Sequence, residues 1–141
     1  MCSKKKLPSD YKILNTIFKT YQYDFINYDN LPNKHKSKNL VPIDCNKIAE
    51  QLQTDGEIIF GRLHYFLSQK YQQLDENGEK LQLFYTFMAN GEKHCIHFSY
   101  LTSVLAEMRE ERKARLSSMV FAGISAFAAF LSAIFAIASK Y

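Results

Sequence analysis

The sequence predicts an α+β fold: a three-helix core with a β-hairpin, followed by a long helix that continues into a single transmembrane helix. Three observations carry this expectation. Apolar residues recur at helical spacing in three segments before residue 70, two strand-like runs at 81–88 and 93–98 flank Asn90-Gly91, and residues 116–138 contain no Asp, Glu, Lys, Arg, His, Asn or Gln. A length of 141 residues allows one compact domain plus an accessory segment and leaves little room for a second core. The expected organisation is a basic tail at 1–9, a cytoplasmic domain at 10–100, a charged juxtamembrane helix at 101–115, the membrane helix at 116–138 and a short tail at 139–141.

The first helix begins after Pro8, where Ser9 or Asp10 can cap it, and Leu14, Ile17, Phe18, Tyr21, Phe25 and Tyr28 follow helical spacing. Residues 29–39, rich in Asn, Lys and Pro, read as a loop, and Leu40-Val41-Pro42-Ile43 as a short extended segment. Asp44 caps a second helix with Ile48, Ala49 and Leu52 inward, broken by Gln53-Thr54-Asp55-Gly56. A third helix runs from about Gly56 past Lys70, with Ile59, Leu63, Phe66 and Leu67 inward and Arg62, Tyr65, Gln69 and Lys70 toward the surface.

Asp75-Glu76-Asn77-Gly78 is a polar turn leading to the hairpin. A two-residue loop at Asn90-Gly91 sets a register that pairs Phe87 with His94, Tyr85 with Ile96, Leu83 with Phe98 and Leu81 with Tyr100. Phe84, opposite His97, then falls on a mixed, partly exposed face. From Leu101 the chain turns helical, with Leu101, Val104, Leu105 and Met108 on one side, and runs through the charged stretch 109–115 into the apolar segment.

At about 1.5 Å per residue that segment reaches about 34 Å, enough to cross a hydrocarbon core of about 30 Å. Its ten Leu, Ile, Val and Phe residues favour insertion by a few kcal/mol. Arg109, Arg112, Lys113 and Arg115 precede it and only Lys140 follows, so the expected location is a membrane, the inner membrane in a bacterium, with the N-terminal domain cytoplasmic. The span finishes three residues before the last residue, which makes the expected arrangement tail-anchored. Ser118, Ala122, Ser125, Ala129, Ser132 and Ala136 recur at alternating steps of four and three, a seam of small side chains suited to helix packing and a homodimer.

Formal net charge is +4, a mild excess that favours anionic surfaces without requiring nucleic acid. Basic clusters stand at Lys4, Lys5 and Lys6 and at Lys34, His35, Lys36 and Lys38. Three widely spaced cysteines, Cys2, Cys45 and Cys95, do not form the paired framework of a secreted domain, and no signal peptide opens the chain. His94-Cys95-Ile96-His97 is the densest metal-capable cluster, but strand alternation sends Cys95 and His97 to one face and His94 to the other. With no GxGxxG, P-loop, CxxC or HExxH pattern, neither a cofactor nor a metal nor an enzymatic activity is expected.

The order helix, short strand, helix, turn, helix and hairpin over residues 11–100 resembles the winged helix-turn-helix superfamily, most closely at 40–70. The resemblance is architectural. It implies that the third helix presents Arg62, Tyr65, Gln69 and Lys70 to DNA or to a protein partner, with Lys93 as a wing contact. Residues 44–73 carry Asp44, Glu50, Asp55 and Glu57 against Lys47, Arg62 and Lys70, a net negative stretch that works against phosphate binding. The expected function is therefore a membrane-anchored, non-enzymatic adaptor or regulator acting through protein contacts. A membrane-tethered DNA-binding regulator and a small membrane-perturbing effector are the alternatives.

Overall fold

The computed structural model of the chain describes residues 7–32, 37–86 and 94–139. It divides into two units, Met1–Leu105 and Ala106–Tyr141. In the first, helix α1 (Asp10–Ile26) starts where Ser9 Oγ accepts the Lys12 N–H at 3.4 Å and buries Ile13, Leu14, Ile17 and Tyr21. Strand β1 (Leu40–Pro42) leads to α2 (Cys45–Leu52), capped by Asp44 Oδ1, which accepts the N–H groups of Asn46 and Lys47 at 2.9 and 3.3 Å. The Tyr21 hydroxyl reaches from α1 to accept the Asp44 N–H at 2.9 Å, so the first helix fixes the start of the second. Helix α2 stops because Gln53 turns left-handed, at φ 54°.

The third helical stretch comprises α3 (Gly56–Gly61), a π-helical turn (Arg62–Leu67) and α4 (Ser68–Lys70). Asp55 caps it by accepting the Glu57 N–H at 3.0 Å. A Cβ on Gly56 would run into the amide end of the Asn46 side chain, while the Asn46 backbone stays at ordinary contact distance.

The polar turn at 75–78 is itself a hairpin turn. Its strands β2 (Gln73–Leu74) and β3 (Lys80–Leu81) pair as Gln73 with Leu81 and Leu74 with Lys80. The second sheet has the order β1-β5-β4, with β4 (Phe84–Tyr85) and β5 (Cys95–His97) antiparallel and β1 on the other side of β5.

The hairpin register differs from the expected one by one residue: Phe84 pairs with Ile96 and Tyr85 with Cys95. Leu81 pairs with Gln73 rather than Tyr100, and Phe98 and Tyr100 already belong to the last helix. The expected continuous strand is interrupted by a bend at Leu83, whose carbonyl accepts the His97 N–H at 2.9 Å. The bend lets the neighbours Leu83 and Phe84 both be buried, which strict alternation forbids. The expected Phe87–His94 pair and the turn at Asn90-Gly91 lie outside the described residues.

Helix α5 (Phe98–Ala138) starts three residues before the expected point and runs unbroken for 41 residues. Its first turns supply Phe98, Tyr100, Leu101, Val104 and Leu105 to the core of the first unit. Phe98 stacks on Phe18 and Phe25 of α1 with ring centres 5.6 and 4.7 Å apart. From Ala106 onward the side chains are exposed apart from half-buried Met108, and the helix is long and apolar enough to cross a membrane.

Candidate functional site

Two features stand out on the first unit: the outward face of the third helical stretch, and the junction where β5 becomes α5.

Ile59, Leu63 and Leu67, four residues apart, point into the core. In a regular α-helix Phe66 would follow Leu63 inward. The π turn has i→i+5 hydrogen bonds and more residues per turn, so Leu67 takes the inward place and Phe66 is carried out to 43% exposure. That corrects the expectation that Phe66 is buried. Ser68, next on the inner side, donates its hydroxyl to the Phe84 carbonyl at 3.3 Å. The outer face carries Ile58, Arg62, Tyr65 and Phe66, with Tyr65 at 66% exposure.

Arg62 sits in the middle of this face and has an intramolecular partner. Its Nε and Nη2 donate to Oδ1 and Oδ2 of Asp10 at 2.6 and 3.1 Å, and its guanidinium lies 4.0 Å from the Phe66 ring centre. The hydrogen bonds to Asp10 raise its pKa still further, so the charge is fixed, but it is matched by a carboxylate from the first turn of α1. A half-exposed bidentate pair of this kind contributes under about 1 kcal/mol to stability; its effect on the surface is to cancel a positive charge. Gln69 and Lys70 are exposed, with Lys70 Nζ 5.1 Å from the Tyr71 ring centre. Lys93 lies outside the described residues.

Behind this face is an aromatic cluster that the sequence pattern did not bring together. The Phe60 ring stacks with His64 at 5.3 Å and packs against His94 at 4.9 Å, with Phe84 at 6.0 Å. The His94 Nδ1 atom is buried and has no hydrogen-bond partner. The i, i+4 spacing of Phe60 and His64 on a helix was a usable signal; the arrival of His94, just before β5, was not.

At the second feature, His97 Nδ1 accepts the Tyr100 N–H at 3.2 Å and so caps the N-terminus of α5. Burial pushes the imidazole pKa below its usual value. Next to His97 lies an open cleft of about 420 Å³ lined also by Asn39, Asp75, Glu79, Lys80 and Tyr85. The junction is tied on its other side by the Phe98 N–H donating to the Asn39 carbonyl at 2.7 Å, and by the Tyr100 hydroxyl donating to the Tyr71 carbonyl at 2.7 Å.

Cys45 is no nucleophile at neutral pH, because burial, then the charges of Asp44 and Glu57, push its thiol up to about 11. In β5 the half-buried Cys95 and His97 share the face opposite buried Ile96. Among the described residues no three His, Cys, Asp or Glu side chains come together as metal ligands.

In the second unit the small residues Ser118, Ala122, Ser125, Ala129, Ser132 and Ala136 line one side of the helix. Their hydroxyls are satisfied within it: Ser118 donates to the Ala114 carbonyl at 2.9 Å, Ser125 to that of Phe121 at 2.9 Å, and Ser132 to that of Ala129 at 2.8 Å. A serine bonded in this way carries no unsatisfied donor into hydrocarbon. No family model matches the chain, and no curated protein or solved structure matches it.

Proposed function

We propose that the protein is a single-pass membrane protein whose cytoplasmic domain is a winged-helix-like, non-enzymatic adaptor or regulator, binding a protein partner through the outer face of its third helical stretch. The observation that carries the choice of partner is the pairing of Arg62 with Asp10 beside exposed Ile58, Tyr65 and Phe66. Affinity for DNA rests on cations that neutralise phosphates, and here the central cation is already neutralised. Exposed tyrosine and phenylalanine around an arginine are instead the residues that dominate protein interfaces.

The winged-helix resemblance is supported by the order of α1, β1, α2, the third helical stretch, β4 and β5, and by the return of the last strand between the other two in the sheet order β1-β5-β4. Membrane insertion is supported by the exposure of the apolar part of α5. On insertion scales each such side chain contributes about 0.3–0.6 kcal/mol, and this helix offers Leu116, Val120, Phe121, Ile124, Phe127, Phe130, Leu131, Ile134, Phe135 and Ile137, each at least 48% exposed. Orientation follows from the basic residues 109–115 before the span. The seam of small residues gives the same helix a side on which a second copy can approach closely.

A photo-crosslinking residue placed at position 65 in the intact protein, in its native membrane, should trap a protein, while the same probe at Tyr23, 69% exposed on α1, should not. Equal yields at both positions would remove the partner face. Retention of duplex DNA by the detergent-solubilised full chain at low salt, lost on Lys70→Gln, would install the DNA-binding reading instead. A full chain that remains monodisperse in the supernatant after ultracentrifugation without detergent would end the membrane reading.

A further inference from the structure

Among the described residues of the first unit, seven large apolar side chains are exposed. Ile58, Tyr65 and Phe66 belong to the outward face of the third helical stretch, and Leu74 stands in β2. The other three, Leu7, Tyr23 and Ile26, are 74%, 69% and 68% exposed and belong to α1 and the residues just before it. A helix advances about 100° per residue, so Lys12, Lys19, Tyr23 and Ile26 fall within one arc about 60° wide. Leu7 stands beside Lys12, on the wall of an open cleft that Ser9 and Gln51 also line.

The charge on this arc is of one sign. The residues three and four positions from either lysine are Pro8, Ser9, Asn15, Thr16, Gln22 and Tyr23, none of them acidic. The acids of α1, Asp10 and Asp24, lie about 100° or more outside the arc, and Asp10 is already held by Arg62. Neither Lys12 nor Lys19 is ion-paired among the described residues, and the α2 side chain bonded to α1 at Thr20 is the neutral Gln51. Elsewhere on the described first unit ten acidic side chains stand against five basic ones, so an acid-free basic arc departs from the rest of that surface.

We infer that this side of α1, with Lys12, Lys19, Tyr23 and Ile26, docks on the anionic headgroup surface of the bilayer that α5 enters. The inference rests on the proposed span and is independent of the partner face. Cations left uncompensated by the chain are what an anionic surface recognises, and each contributes about five-fold to the docked population. An exposed tyrosine and isoleucine beside them are side chains that enter the boundary between headgroups and acyl chains, while the lysines reach phosphate over their apolar stems. The third helical stretch has the opposite character: its central cation is cancelled by Asp10, and its aromatic side chains surround that neutral pair.

The tether explains why so small a surface suffices. Leu105, the last core residue of the first unit, and Leu116 at the start of the span are eleven residues apart on one helix, about 16 Å. Docking of a tethered domain is intramolecular, at an effective concentration that a short connection raises to the millimolar range. Two lysines and three apolar side chains, too few to hold a free protein on a bilayer, then populate the docked state.

The chain contains no tryptophan, so Tyr23→Trp introduces a single fluorophore into the intact protein. The test uses this full chain reconstituted into vesicles of phosphatidylcholine and phosphatidylglycerol that carry lipids spin-labelled near the headgroup as quenchers. Tyr23→Trp should be quenched strongly, and Tyr65→Trp, the same change on the partner face, only weakly. Adding Lys12→Gln and Lys19→Gln to Tyr23→Trp should lower the ratio of docked to undocked domain by about five-fold each. Pure phosphatidylcholine vesicles or high salt should weaken the quenching in the same direction. Equal quenching at positions 23 and 65, or quenching at 23 that survives both lysine changes, would overturn the inference. So would a tryptophan at 23 that is shielded from iodide without being quenched by lipid, which would put a second copy of the chain on this side of α1. A chain that does not float with the vesicles removes the inference together with the span, and is told apart by that.

Discussion

The first two turns of α5 and its last six carry similar apolar side chains under opposite conditions. Phe98, Leu101, Val104 and Leu105 are at most 2% exposed, whereas Leu116 to Ile137 include eleven large apolar residues between 48% and 78% exposed. One continuous helix thus uses the same residue types in two settings, packed into folded polypeptide at its beginning and exposed at its end, where the proposed span would place them in lipid. What separates them is the charged stretch 106–115, where neither core nor lipid would accept the side chains and water does.

The comparison predicts that the two regions fail independently, and the core should fail hardest. Phe98→Ala removes a ring stacked on Phe18 and Phe25 and should cost about 3–5 kcal/mol, close to the whole stability of a small domain. Urea unfolding of the detergent-solubilised protein followed by near-ultraviolet circular dichroism should show it, while recovery in the membrane pellet stays unchanged. Loss of the chain from the pellet would mean that the domain, and not the apolar helix, holds the protein at the membrane.

The reverse experiment should have a somewhat smaller effect. Phe127→Arg places a charge near the middle of the span at a cost of about 2.5–3.5 kcal/mol on insertion scales, enough to offset most of the gain from its apolar residues. Membrane recovery should fall steeply and the unfolding midpoint of the domain should not move. A domain destabilised by this change would show that residue 127 is covered by protein.

The junction between the regions is where pH should act. His97 is neutral when it accepts the Tyr100 N–H, and burial holds its folded pKa below the usual 6.5. In the unfolded chain it takes up a proton first as pH falls. The cap's contribution is therefore complete above about pH 6.5 and is lost as pH falls through the folded value. The groups facing it are Asp75, Glu79 and Lys80 from the small hairpin, Tyr85 from β4 and Tyr100 from α5 itself. The carboxylates favour the proton and Lys80 opposes it, so they moderate the loss without reversing its sign. A cap is worth about 1 kcal/mol. Asparagine caps as well and does not titrate, so His97→Asn should flatten this part of the stability profile between pH 7.5 and 5. An unchanged profile would show that His97 does not carry the loss.

Much of this arrangement was legible because it is local. Ser9, Asp44 and Asp55 stand immediately before periodic apolar runs, and each caps a helix. The apolar stretch was legible because composition alone defines it. What escaped depends on distant parts of the chain. The pairing of Arg62 with Asp10 spans 52 positions, and no periodicity in either segment announces it. The register of β4 on β5 was argued from an assumed tight turn, but Leu83 and Phe84 are adjacent apolar residues that fit either alternation, and the bend between β3 and β4 decided between them. The π turn was hidden for a similar reason: Phe66 and Leu67 are equally apolar, so only packing could choose which goes inside. The candidate face follows from that choice, since a regular helix would have buried Phe66.

The smallest effect concerns the one described non-glycine residue with a positive φ. Gln53 ends α2 at φ 54°, a conformation that crowds its Cβ and is most often taken by glycine at this position of a helix. Its exposed side chain has little to lose. Gln53→Gly relieves that crowding but lets the unfolded chain explore more conformations, which offsets part of the gain. The balance should be a stabilisation of about 0.5 kcal/mol, visible as a small rise in the urea midpoint with no change in slope or in membrane recovery. A fall instead would mean that the side chain of residue 53 holds the turn between α2 and α3, and that this turn, rather than the cap at Asp55, positions the outward face of the third helical stretch.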